Sequence, residues 1–216
     1  HRGPLLQLAT WLEFAPPIRP KTTLWFIYGS NDLVNLASWR HNKFLQRYLK
    51  INNFKQDLFE KPDVIEEGMT NYTERLLRTG KAYRSFGLIL FDFLLFRNLR
   101  DKFRLNLTGK LDRPESLEEM LEIIPEIQEI FIIAQKKAQT WGGEVVFVYL
   151  PSVYQFTEGQ EKIREEKIRA AMLKSIAEVG IRYTDLSKDF AKDHNPKKNF
   201  WFYVGSHYTE EGYELV

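Results

Sequence analysis

The sequence predicts an α/β protein in which helices cover both faces of a parallel sheet. Three nearly continuous apolar runs, at residues 23–28, 145–150 and 181–186, resemble strands that are buried on both faces. Segments with helical periodicity separate the runs, and this alternation is typical of a parallel sheet between helical layers. We therefore expect a three-layer α/β/α domain in which the three runs are parallel neighbours.

Two of the predicted helices flank these strands closely in the sequence. Pro4 suits a first helical position and apolar residues recur on one face, which predicts a helix over residues 4–14 that Pro16 ends. A later helix is predicted over residues 160–179, where Gly180 follows it. The alternating charges at residues 161–174 are expected to form its solvated face.

The segment from about residue 34 to residue 114 interrupts the alternation of strands and helices. It is rich in charged and aromatic residues and too long for an ordinary connection, so we interpret it as a helical insertion in a single domain. Within it, segment 86–104 begins with an apolar run at residues 86–96 and continues with basic residues, and the run of eleven is too short to cross a bilayer. It is either a buried helix with a basic edge or a lid that contacts a membrane surface.

Composition excludes several classes of function. The 216 residues contain no cysteine, and the four histidines have no metal-ligand spacing, so neither a metal site nor a cofactor is expected. A net charge of +2 gives no support for nucleic-acid binding. Both ends of the sequence look truncated, and the compartment stays open between the bacterial cell envelope or periplasm and the cytoplasm.

The first candidate site is Gly29-Ser30-Asn31-Asp32, directly after the first predicted strand. Ligands of parallel sheets bind at the carboxyl ends of the strands, and an Asn side chain offers N–H donors to a developing oxyanion. The alternative is a plain turn, because all four residue types are common in turns.

The second candidate site is His207, which precedes a predicted helix. Thr209 is placed to cap that helix, and Glu210 and Glu211 suit its positive end. A histidine held in a loop by an adjacent helix is suited to act as a general base. The alternative is a surface histidine in a linker.

Together these segments resemble the SGNH/GDSL hydrolase superfamily, in particular a bacterial subgroup of undefined substrate. The G-x-N-D block of that family matches residues 29–32, its catalytic histidine block matches His207 through Gly212, and its oxyanion glycine matches Gly3 before the first helix. The resemblance implies a flavodoxin-like three-layer fold. It also implies that residues 1–216 form one domain without its first strand, with the Gly-Asp-Ser nucleophile block outside this chain.

The resemblance further implies a serine esterase or acyltransferase that acts on O-acyl groups, with glycans as a possible substrate. His207 would be the base, and the Asn31 side chain and the Gly3 N–H would form the oxyanion hole. The family usually has an aspartate three residues before the histidine, where this sequence has Val204. A non-catalytic module that binds a glycan or a protein is therefore the alternative function, and the isolated chain is expected to be inactive.

Overall fold

Three strands form a small parallel sheet. The computed structural model describes residues 3–83, 116–201 and 207–216. The strands are β1 (Thr22–Tyr28), β2 (Glu144–Leu150) and β3 (Tyr183–Asp185), in the spatial order β1-β2-β3. Both pairs of neighbours are parallel, which confirms the prediction that the three apolar runs are adjacent in one sheet of a mixed α/β fold.

Helices make up much of the rest of the described chain. In chain order they are α1 (Pro4–Ile18), α2 (Gly29–Trp39), α3 (Gln46–Lys50), α4 (Pro62–Tyr83), α5 (Leu117–Gln139), α6 (Gln160–Glu178), α7 (Ser187–Phe190) and α8 (Glu210–Glu214). Single turns of 3-10 helix occupy Leu58–Glu60, Val153–Phe156 and Pro196–Asn199.

Two predicted boundaries near the amino end are wrong. Helix α1 continues through Pro16 and Pro17, which lie in its last turn, and ends at Ile18. Arg19 caps it in the left-handed region, with φ 54°, and its N–H donates to the Ala15 carbonyl. The predicted turn after β1 is instead the first turn of α2, which begins at Gly29.

One face of the sheet is covered by the long helices. Trp25 and Ile27 of β1 and Phe147 and Tyr149 of β2 are buried there, in one core cluster with apolar residues of α1, α2, α5 and α6. Complete burial of each such aliphatic or aromatic side chain contributes roughly 1.5–3 kcal/mol, so this face supplies the main hydrophobic stabilisation.

Short segments cover the other face within the described residues. Val146 and Val148 of β2 pack there against Phe190 of α7 and against Phe200 and Tyr208. The three aromatic pairs within this group include Phe190–Tyr208, with ring centroids 4.9 Å apart, and Phe200–Tyr208, at 5.2 Å. We call this group, together with Tyr28, the aromatic cluster.

The chain divides into two compact units. The sheet and its helices belong to the unit of His1–Gln56 and Asp112–Val216, which includes α2 and α3. The other unit is Asp57–Leu111, in which residues 57–83 form a 3-10 turn and helix α4. Helix α4 exposes the apolar side chains of Val64, Met69 and Tyr72. None of the helices in the described ranges is long and apolar enough to cross a membrane.

Candidate active site

Asn31 lies at the carboxyl end of β1, in the first turn of α2. Its side chain is half-buried, and its Nδ2 atom is buried without a hydrogen-bond partner among the described residues. A buried amide donor without an acceptor costs free energy, and such atoms are uncommon in folded proteins. Asn31 Nδ2 is therefore a candidate donor for an acceptor that the described residues do not supply.

Gly3 packs against the same helix. It caps α1, and a Cβ atom built on it would lie 2.7 Å from Asn35 Cβ, so only glycine allows this approach. Asn35 is four residues after Asn31 and therefore on the same face of α2. The structure thus places the amino end of α1 about one helical turn from the candidate donor.

His207 is held beside the sheet by its neighbours in the chain. Its carbonyl accepts a hydrogen bond from Trp201 N at 3.0 Å, and the adjacent Tyr208 is buried in the aromatic cluster. The Tyr208 hydroxyl donates to the Pro151 carbonyl at 2.7 Å, just past the end of β2. Its ring lies 5.9 Å from that of Tyr28, at the end of β1.

The three predicted site residues therefore belong to elements that approach one edge of the sheet. Gly3 contacts α2, Asn31 is in α2, and the residue after His207 touches the ends of β1 and β2. That their side chains meet in a single cleft stays a prediction. Val204, Gly205 and Ser206 lie outside the described residues, as does the apolar run at residues 86–104.

A buried carboxylate at this edge was not predicted from the sequence. Glu165 of α6 is only 3% exposed, which contradicts the expectation that the charges of this helix are solvated. Its Oε2 atom lies 3.5 Å from Ser30 N and 3.1 Å from the position that a Cβ on Gly29 would occupy. The signal in the sequence is its spacing, because Glu165 continues the buried stripe of Ile168 and Met172.

Two residues with hydroxyl groups lie near the same position, together with Glu165. Tyr149 Oη is 3.4 Å and Ser152 Cβ is 3.6 Å from the Cβ position of Gly29. Both hydroxyls are buried without a partner in the described part of the chain. Burial, and secondarily the charge of Glu165, raises the pKa of Tyr149 well above its usual value, so this phenol stays protonated at neutral pH.

Asp32 secures the junction between β1 and α2. Its Oδ2 atom accepts a hydrogen bond from Tyr28 N at 2.7 Å, and the residue is only 5% exposed. Burial raises the pKa of the Asp32 carboxyl to about 6, although the bond from Tyr28 N opposes the shift. Asp32 therefore shapes the turn that presents Asn31.

Arg169 connects the end of β3 to the same helix that provides Glu165. Its guanidinium contacts Asp185 Oδ2 at 3.1 Å, Ser187 Oγ at 3.2 Å and Glu166 Oε2 at 3.1 Å. The Asp185 side chain is nearly buried, so this ion pair is less screened than a surface pair. The contacts fix the amino-terminal half of α6 over the edge of the sheet.

The described residues contain no group of three or more acidic, histidine or cysteine side chains that is suited to hold a metal ion. Comparison of the chain with protein-family models, with curated protein sequences and with solved structures finds no significant match in any of the three. The functional argument therefore depends on the residues at the carboxyl edge of the sheet.

Proposed function

We propose that the carboxyl edge of the sheet is the site of a serine esterase or acyltransferase of the SGNH type. The observation that supports this most is the buried Asn31 Nδ2 atom, which has no acceptor in the described structure and lies at the end of a parallel strand. A donor held in this way stabilises the negative charge that develops on a carbonyl oxygen during acyl transfer.

The proposed reaction assigns one task to each residue. A serine from a segment outside residues 1–216, as the resemblance implies, attacks the acyl carbonyl, and His207 accepts its proton and later returns it to the leaving alcohol. The Asn31 amide and the Gly3 N–H bind the oxyanion of the tetrahedral intermediate. Water then attacks the acyl-enzyme in hydrolysis, and an acceptor hydroxyl attacks it in transfer. We propose O-acylated glycans as substrates.

We also propose that the sheet extends beyond β1 in a flavodoxin-like, three-layer arrangement. Lys21 O accepts a hydrogen bond from Glu144 N, so Lys21 points its backbone groups towards β2. In a parallel pair only every second residue does so, and the backbone groups of Leu24 and Phe26 therefore point away from β2. Both side chains are exposed, and a groove of about 750 Å³ runs between α1 and this edge of β1. A further strand would pair with these groups and cover the apolar surface.

The test is ester turnover by the protein that the complete reading frame encodes. Substrates are short-chain nitrophenyl esters and acetylated oligosaccharides. We expect His207→Ala to abolish turnover and Asn31→Ala to lower kcat about 10²- to 10³-fold with little change in KM, because the donor acts in the transition state. The exposed residues His194 and Asn52 provide matched controls as alanine variants.

Equal activity in the wild type and His207→Ala would place the chemistry elsewhere. The alternative function is a non-catalytic module for a glycan or protein, which is favoured by Val204 at the position where the family has its aspartate. Disabling the corresponding aspartate of the serine-protease triad lowers kcat about 10⁴-fold. Saturable binding of acetylated oligosaccharides without any turnover would support this alternative.

A further inference from the structure

Glu165 is a buried acidic residue in a helix whose other charges are mostly solvated. Glu161, Lys162 and Lys167 of α6 are exposed, whereas Glu165 is 3% exposed and lies one turn before the buried Ile168. Burial of a carboxylate costs several kcal/mol unless donors compensate for the lost water. The position of Glu165 therefore requires a compensating partner.

The compensating partner is the amino end of α2. The first N–H groups of a helix have no acceptor within the helix, and the helix dipole makes this end positive. Glu165 Oε2 lies 3.5 Å from one of these groups, Ser30 N. Glycine suits position 29, because its φ of 38° strains any residue with a side chain and a Cβ would approach the carboxylate to 3.1 Å.

We propose that Glu165 is a positioning residue that fixes the first turn of α2 and thereby aims the Asn31 amide at the reacting carbonyl. The inference rests on the proposed function. Asn31 follows Ser30 directly, so a rotation of this turn displaces its side chain. Oxyanion donors act over about 2.7–3.1 Å, and a displacement near 1 Å therefore weakens the bond in the transition state.

The decisive variant is Glu165→Gln, which keeps the shape of the side chain and removes its charge. We expect kcat for ester hydrolysis to fall about tenfold while KM changes less than about twofold, because only the transition state contains the oxyanion. We also expect the Ser30 amide to exchange its hydrogen about fivefold faster, because the neutral amide oxygen of glutamine accepts from Ser30 N more weakly than the carboxylate does. Glu161→Gln, on the exposed face of the same helix, is the matched control and should alter neither quantity.

The thermal midpoint separates positioning from general stability. Since an amide is less costly to bury than a carboxylate, Glu165→Gln should unfold at the wild-type temperature or above it, while its kcat falls. A fall in kcat that follows a loss of folded protein would overturn the positioning role. Ser30 exchange equal to that of the wild type would overturn it as well, whether or not the protein hydrolyses esters.

Different results would refute the proposed function and the positioning role of Glu165. If the wild type hydrolyses no ester, the catalytic use of Asn31 is refuted, and the Ser30 exchange rate alone then decides whether Glu165 holds the turn. If the wild type is active and Glu165→Gln retains its full kcat, the proposed function stands and the positioning role is refuted.

Discussion

Asp32 should make the stability of the protein depend on pH in a defined window. Burial raises the pKa of its carboxyl from the usual 3.8 to about 6 in the folded state. The folded protein therefore binds this proton more tightly than the unfolded chain. The contribution of Asp32 to the free energy of unfolding is therefore largest below pH 4. It falls as the pH rises from about 4 to 6 and stays constant at higher pH. At about 1.4 kcal/mol per pH unit, the total fall is roughly 3 kcal/mol.

Two substitutions separate the charge of Asp32 from its hydrogen bond. Asp32→Asn retains an oxygen that accepts from Tyr28 N but cannot ionise, so the fall between pH 4 and 6 should disappear. Asp32→Ala removes the acceptor as well and should lower the free energy of unfolding by about 1–3 kcal/mol, because it deletes the buried side-chain acceptor of the Tyr28 N–H.

The assay is urea denaturation of the wild type and both variants at pH 4.5, 5.5 and 7. The other titrating groups are shared, so their contributions cancel in the difference between the wild type and Asp32→Asn. We expect that difference to move by about 2 kcal/mol in favour of the variant between pH 4.5 and pH 7. A difference that stays constant over this range would refute the argument from burial.

Two further stability changes follow from single buried contacts. Tyr208→Phe removes the donor to the Pro151 carbonyl and should lower the free energy of unfolding by about 1–2 kcal/mol in urea denaturation, whereas Tyr183→Phe, which alters a more exposed ring, should be neutral. Glu13→Ala removes the buried acceptor of the Tyr48 hydroxyl and of a backbone N–H and should lower the thermal midpoint by several degrees. Wild-type midpoints for these two variants would contradict the assigned contacts.

The sheet could be predicted from the sequence because its signals are local. Each strand coincides with an apolar run between turn-forming residues, and the helices between them leave a parallel arrangement as the simplest connection. The length of β3 could not be predicted. Only Tyr183–Asp185 of the apolar run at residues 181–186 pair with β2, and the extent of this pairing depends on where β2 ends.

The errors occur where one residue type suits two structures. Gly, Ser, Asn and Asp favour turns, but they also favour the amino end of a helix, and Gly29 to Asp32 form such an end. A glutamate in a charged helix suits a solvated face, yet the spacing of Glu165 from Ile168 places it on the buried side. Its partner, the Ser30 N–H, is 135 residues away and could not be identified from the sequence.

The placement of His207 depends on contacts from several distant parts of the chain. Tyr208 packs on Tyr28 of β1 and on Phe190 and Phe200, and its hydroxyl bonds past the end of β2. The sequence marks His207 only through the cap of the helix that follows it. The same aromatic contacts cover the second face of the sheet and bring the candidate base to its edge. A substitution in the aromatic cluster should therefore weaken folding and the proposed activity together, whereas Glu165→Gln should lower activity without lowering the thermal midpoint.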